Sequence, residues 1–213
     1  MKLKKLAALT ALAISSTMVS HTASAGWSAN LGLMTDYHFR GLQQAESASA
    51  YAGADYESEE GFYVGTWAAE VEDGLEVDLY GGYGTEFENG VGMSVGFTTY
   101  QYTGDFDSAY NELNFGISYG FISASYNIGD WDGVVGDEAN TESKYEYVEV
   151  TLEHEGFYAT FGKFGREFSG EFGEFGYSTE YEGFDIGAAI VISGSELDDS
   201  ESLYFTIGKT FSL

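Results

Sequence analysis

The sequence predicts an all-β protein, an antiparallel up-and-down transmembrane β-barrel of about 12 strands with short periplasmic turns and longer acidic extracellular loops. Three observations carry that expectation. The first is period-two alternation of apolar and polar residues along most of the chain after residue 26, the mark of strands with one apolar face. The second is the spacing of the breaks, which alternates between short Gly-containing steps and longer acidic stretches. The third is an N-terminal segment with the three-part pattern of an export signal.

The clearest unit lies at residues 174–193. Phe175, Tyr177, Thr179 and Tyr181 alternate with Glu174, Gly176, Ser178 and Glu180. After the step Glu182-Gly183, Phe184, Ile186, Ala188, Ile190 and Ile192 alternate with Asp185, Gly187 and Ala189. A two-residue hairpin loop there sets Tyr181 opposite Phe184, Thr179 opposite Ile186 and Phe175 opposite Ile190, so the apolar faces coincide.

The other elements follow the same logic. Lys2, Lys4 and Lys5, the apolar run 6–14 and the small residues Ala23, Ser24 and Ala25 read as a signal peptide over residues 1–25, leaving 26–213 as one barrel domain. The first strand is expected over 27–40, followed by a loop over 41–47. The second carries alanines 48, 50, 52 and 54 with Tyr56. A two-residue loop at Glu60-Gly61 leads to the third, with Tyr63, Trp67, Ala69 and Val71; it pairs Ala54 with Trp67 and turns Phe62 and Val64 inward.

Leu75, Val77, Leu79 and Tyr83 mark the fourth strand, and Glu88-Asn89-Gly90 suits a three-residue turn with Gly in the left-handed region. Val91, Met93, Val95 and Phe97 mark the fifth; Leu113, Phe115, Ile117 and Tyr119 the sixth. Gly120-Phe121 turns into the seventh, with Ile122, Ala124, Tyr126 and Ile128. The longest connection is 129–143; then Val148, Val150 and Leu152 mark the eighth strand. Glu155-Gly156 leads to the ninth, with Phe157, Ala159 and Phe161; the unit above supplies the tenth and eleventh; Leu203, Phe205, Ile207 and Phe211 mark the last. Tyr181, Phe184, Phe157, Tyr119, Phe87 and Phe211 gather at the short-turn rim, where an interfacial aromatic girdle is expected, and Lys209 on the lipid-facing parity is placed to snorkel.

Composition narrows the function classes. The 213 residues hold 35 acids, 8 bases, no Cys and no Pro. Beyond residue 25 only five bases remain against all 35 acids, a formal charge of −30, so nucleic acid is excluded as a partner. Without Cys there is neither a disulfide nor a thiolate metal site. The mean hydropathy of −0.17 hides a barrel, because lipid-facing and lumen-facing residues cancel in the average.

Three segments carry a resemblance: 32–41 (Gly-Leu-Met-Thr-Asp-Tyr-His-Phe-Arg-Gly), 61–68 (Gly-Phe-Tyr-Val-Gly-Thr-Trp-Ala) and 76–83 (Glu-Val-Asp-Leu-Tyr-Gly-Gly-Tyr). In order and spacing the chain resembles the TorF porin family, also called the Gcw_chp family of proteobacterial proteins, strongly over residues 26–100 and more loosely to the C-terminus. The resemblance implies an exported outer-membrane protein and carries over no catalytic residues.

The expected chemistry is that of a pore. By strand parity the lumen is lined by Asp36, Arg40, Asp55, Glu57, Glu70, Glu76, Asp78, Glu112, Glu149, Glu153, Arg166, Glu174, Glu180 and Asp185, twelve acids against two bases. Two bases cannot pair twelve carboxylates in a dry interior, so a wet, cation-preferring lumen is expected; the 129–143 loop, with Asp130, Asp132, Asp137, Glu138 and Glu142, is a candidate constriction if it folds inward, which the sequence does not decide. An enzyme is not expected: the two histidines beyond the leader, His38 and His154, lack a nucleophile and a base at readable spacing. No cofactor is expected, and the acidic loops lack the spaced oxygen ligands of a calcium loop. The expected partners are outer-membrane lipid, lipopolysaccharide, the barrel-insertion machinery and small solutes or cations, with the protein as a monomer. The alternative is a non-conducting structural or surface barrel whose acidic loops associate with divalent cations.

Overall fold

The computed structural model describes residues 25–134, 140–197 and 199–213. The described residues form fourteen strands: β1 (Gly26–Met34), β2 (Tyr37–Phe39), β3 (Leu42–Ala45), β4 (Ser49–Glu57), β5 (Phe62–Val71), β6 (Gly74–Glu86), β7 (Val91–Tyr102), β8 (Tyr110–Tyr119), β9 (Ile122–Gly133), β10 (Thr141–His154), β11 (Phe157–Arg166), β12 (Glu171–Tyr181), β13 (Phe184–Ser193) and β14 (Glu201–Ser212). Twelve of them, β1 and β4 to β14, close into an antiparallel barrel in which β1 pairs with both β4 and β14. Closure gives every strand two neighbours, so no row of backbone donors and acceptors is left facing lipid.

The outer face is apolar. Leu31, Val64, Leu79, Phe97, Ile117 and Phe161 stand outward, each about half exposed. So do Tyr181, Phe184, Phe157, Tyr119, Phe87 and Phe211 at the short-turn rim. Lys209 belongs to this outer face, its ammonium 5.1 Å from the Phe184 ring centre and 5.6 Å from that of Phe211. The β12–β13 hairpin has the expected register, Tyr181 with Phe184, Thr179 with Ile186 and Phe175 with Ile190.

Two expectations fail at the start of the barrel. The turn before β5 holds three residues, not two: the Ser58 N–H donates to the Phe62 carbonyl, and Gly61 takes a φ of 94°. One extra residue inverts the parity of the following strand. Trp67 therefore pairs with Gly53 rather than Ala54 and points inward, while Phe62 and Val64 face out, 60% and 53% exposed. The first strand also ends early. The chain leaves the wall after Met34 and makes the two-stranded sheet β2–β3 before rejoining it at Ser49.

The interior shows why the chain is rich in Gly and Tyr. Tyrosines point inward and lie over glycines of neighbouring strands. A methyl group on Gly32 or Gly208 would strike the Tyr51 ring, one on Gly129 the Tyr145 ring, one on Gly176 the Tyr158 ring. Each of these glycines gives up a side chain so that a neighbouring ring can lie against the wall. Two buried clusters result, one around Tyr37, Tyr51 and Trp67, the other around Tyr147, Phe172 and Tyr204.

Candidate functional site

The site is built around β2–β3. Its tip, Arg40-Gly41, has φ values of 51° and 83°, the same left-handed pair found at Glu155-Gly156 and Glu182-Gly183. Such X-Gly pairs favour a two-residue hairpin turn whose twist matches its strands. Here the hairpin crosses the lumen instead of extending the wall. Tyr37 donates to Glu76 Oε1 on β6 at 2.6 Å and packs edge-on against Trp67 of β5. Phe39 packs on Tyr100 of β7, and His38 stacks on Tyr204 of β14. The Ser193 hydroxyl of β13 donates to the Gly41 carbonyl, and the Glu72 N–H donates to the Gln44 carbonyl at 2.9 Å. Contacts on opposite sides of the wall make this segment a plug across the bore.

At the plug's tip, Arg40 is 6% exposed and Glu112 of β8 is 1% exposed. Both terminal nitrogens of Arg40 donate to Glu112, Nη1 to Oε1 and Nη2 to Oε2, the latter at 3.0 Å. Glu112 also accepts from Tyr145 at 2.7 Å, Asn114 at 3.0 Å and Tyr100 at 3.2 Å. Asn114 continues to Asn127, which accepts at 3.0 Å, and to Thr98, whose hydroxyl donates at 2.8 Å. Four side chains donate to this buried carboxylate, offsetting its loss of water.

The structure sorts the residues expected to line the lumen. Glu76, Asp78, Glu112 and Glu149 are buried on the inner face. Asp55 accepts from Tyr80 at 2.5 Å, Glu174 from Tyr158 at 2.6 Å and Tyr204 at 2.9 Å, and Glu149 from Tyr147 at 2.5 Å. Asp185 accepts from Thr210 at 3.3 Å. Glu57, Glu153 and Glu180 hold inner-face register positions beside the short turns. Asp36 and Arg40 belong to the plug rather than the wall, with Asp36 accepting from Gln43 at 3.0 Å.

Three placements are corrected. Glu70 shares the parity of Phe62 and Val64 and is exposed on the outside, because the three-residue turn inverts β5. Arg166 ends β11 with a φ of 67°, which breaks its alternation and brings its Nε within 3.5 Å of Glu146, on the outer parity of β10. The flanks of the 129–143 stretch lie on the wall rather than in the bore. Asp130, Asp132 and Glu142 belong to the β9–β10 ladder, which continues up to the Gly133–Thr141 pair, while Asp137 and Glu138 lie outside the described residues.

Sequence reasoning missed Tyr37, Tyr100, Tyr145, Tyr147 and Asn114. A signal existed for two of them. Tyr145 and Tyr147 continue the inner parity of Glu149, but a search for outward apolar residues starts at Val148 and passes over them. His154 is exposed at the short-turn end of β10, and His38 lies within the plug.

Residues 19–200 match the family described as "Bacterial protein of unknown function (Gcw_chp)". The chain belongs to the Gcw_chp family. No curated protein matches the chain. Among solved structures, this Gcw_chp barrel is similar to the "KdgM porin" at 7% identity, covering 87% of this chain and 99% of that one with a TM-score of 0.57. It is also similar to a protein solved under the description "Unveiling the Mechanism Behind the in-meso Crystallization of Membrane Proteins", at 10% identity, covering 89% and 84%, with a TM-score of 0.61. At these identities the likeness is one of fold, that of outer-membrane barrels.

Proposed function

We propose that this Gcw_chp protein is an outer-membrane channel for passive diffusion of small solutes with a preference for cations, its bore set by the 35–48 segment. The observation that carries this reading is the sign of the interior. Among the described residues, the buried charged side chains are Glu76, Asp78, Glu112 and Glu149 against Arg40 alone. Arg40 is paired with Glu112, and Glu76 and Asp78 add two further acidic side chains to the inner face beside the plug. Carboxylate-lined pores favour cations.

In this reading the protein is exported by a cleaved leader, folded by the barrel-insertion machinery and embedded as a monomer among lipid and lipopolysaccharide. It has no catalytic role. The test is conductance of the refolded protein in a planar bilayer under a salt gradient. A cation-selective reversal potential is expected, moving towards anions in the Glu76→Lys/Asp78→Lys variant. Unchanged selectivity in that variant removes these carboxylates from the permeation path.

The plug favours a second reading, a non-conducting structural or surface barrel whose acidic loops bridge divalent cations to lipopolysaccharide phosphates. A folded, heat-modifiable barrel that stays silent even after replacement of residues 35–48 supports that reading against the channel.

A further inference from the structure

Arg40 sits in a box whose parts come from two separable elements. Glu112, Tyr100, Asn114, Tyr145 and Tyr147 belong to the barrel wall, on β7, β8 and β10. There Glu112 offers both oxygens to a planar fork and is itself held by three neighbouring donors. The Tyr147 ring lies 4.1 Å from the guanidinium carbon. A carboxylate fork beside an aromatic face, shielded from water, is the chemistry that recognises a guanidinium.

The occupant comes from the hairpin. A ladder of three residues against four is marginal by itself, so side-chain contacts keep the hairpin in place. Its tip holds Arg40 in a backbone region that a non-Gly residue rarely adopts, a cost set against the contacts with Glu112. The wall supplies a finished receptor, and a segment held by side-chain contacts rather than by the wall ladder fills it.

We infer that the Glu112 box is a binding site on the lumen wall for solutes carrying a guanidinium group, and that Arg40 occupies it as a tethered competitor. A solute that wins the box releases the plug. The inference relies on the channel reading for the route by which the solute arrives.

The chain has no Cys, so Ala45→Cys, at a position 4% exposed on β3, gives a single reporter of plug withdrawal. The refolded full-length barrel in detergent micelles is labelled with a maleimide in ethylguanidinium, ethylammonium or sodium chloride at equal concentration. Labelling about tenfold faster with ethylguanidinium than with ethylammonium is expected, since only the former fits the fork. Equal rates overturn the inference.

A second arm titrates ethylguanidinium calorimetrically into Arg40→Ala and into Arg40→Ala/Glu112→Gln. Arg40→Met, which keeps an apolar chain over Tyr147, replaces Arg40→Ala throughout if the latter does not refold. Saturable binding to the single variant that the double variant lacks supports the site; no binding to the single variant, or equal binding to both, overturns it. Conductance of the wild-type barrel separates the two claims. Guanidinium-dependent labelling in a silent barrel keeps the site and fails the channel, and the converse keeps the channel and fails the site.

Discussion

The connection from β1 to β4, residues 35–48, lies in the bore, whereas the acidic flanks of the β9–β10 connection stay on the wall. The segment after β1 contains Tyr37, His38, Phe39, Leu42 and two glutamines, with Arg40 at its tip. The segment joining β9 to β10 is acidic on both flanks, with Asp130, Asp132 and Glu142. The first is drawn inside, where its rings stack on wall aromatics and its cation meets a carboxylate. The flanks of the second stay on the wall ladder, with Asp132 and Glu142 exposed. An interior already lined with carboxylates repels more of them, and burying an unpaired charge costs several kcal/mol. What lets the 35–48 segment enter is how well its side chains tolerate loss of water.

The largest expected effect is on conductance. Replacing residues 35–48 with a short flexible linker should raise single-channel conductance severalfold, while Asp132→Asn/Glu142→Gln on the β9–β10 flanks should leave it unchanged. Equal effects from both would erase the contrast between them. Next comes stability against denaturant in micelles. Arg40→Ala strands a buried carboxylate and should cost about 3 kcal/mol. Arg166→Ala removes an exposed 3.5 Å pair on the outer rim and should cost less than about 1 kcal/mol.

The smallest effect tests how the wall supports the plug's receptor. Gly129→Ala pushes on the Tyr145 ring, which donates to Glu112, and should lower stability by about 1–2 kcal/mol in the same unfolding assay. Gly173→Ala, whose new methyl meets only the Thr160 carbonyl at 3.9 Å, should be neutral. A neutral Gly129→Ala would mean that the ring shifts without disturbing the box.

The wall was legible in the sequence because alternation and turn chemistry are local. Phe175 to Ile190 reads as a hairpin from its own residues, and the register follows. Parity failed where one residue in a turn mattered: counting Glu60-Gly61 as the whole loop inverted β5 and misplaced Glu70. The plug was hidden by a different cause. Residues 27–40 keep an unbroken alternation, and nothing local says that the chain turns into the lumen after Met34. Arg40-Gly41 carried the same turn signal as Glu182-Gly183, yet whether such a hairpin joins the wall or the interior depends on side chains far along the chain, Glu112 and Tyr147 among them. Lumenal acids on long strands were readable by parity; Arg166, at a strand end with an inverted φ, was not.

The stem of the plug has a consequence for assembly. Every barrel ladder except one joins strands that are neighbours along the barrel chain, so each can form as its hairpin forms. The exception is the seam between β1 and β14, which brings Ser28 to Ser212. Loop-closure entropy makes that pairing the costliest to start, and hence the last to zip. Thr35, the first residue beyond β1, is stitched to this seam twice: its N–H donates to the Phe205 carbonyl and its hydroxyl accepts from the Phe205 N–H, both at 2.9 Å. The final step of closing the wall therefore also ties down the base of the plug, so an insertion intermediate with an open seam would still have the base of its hairpin untied.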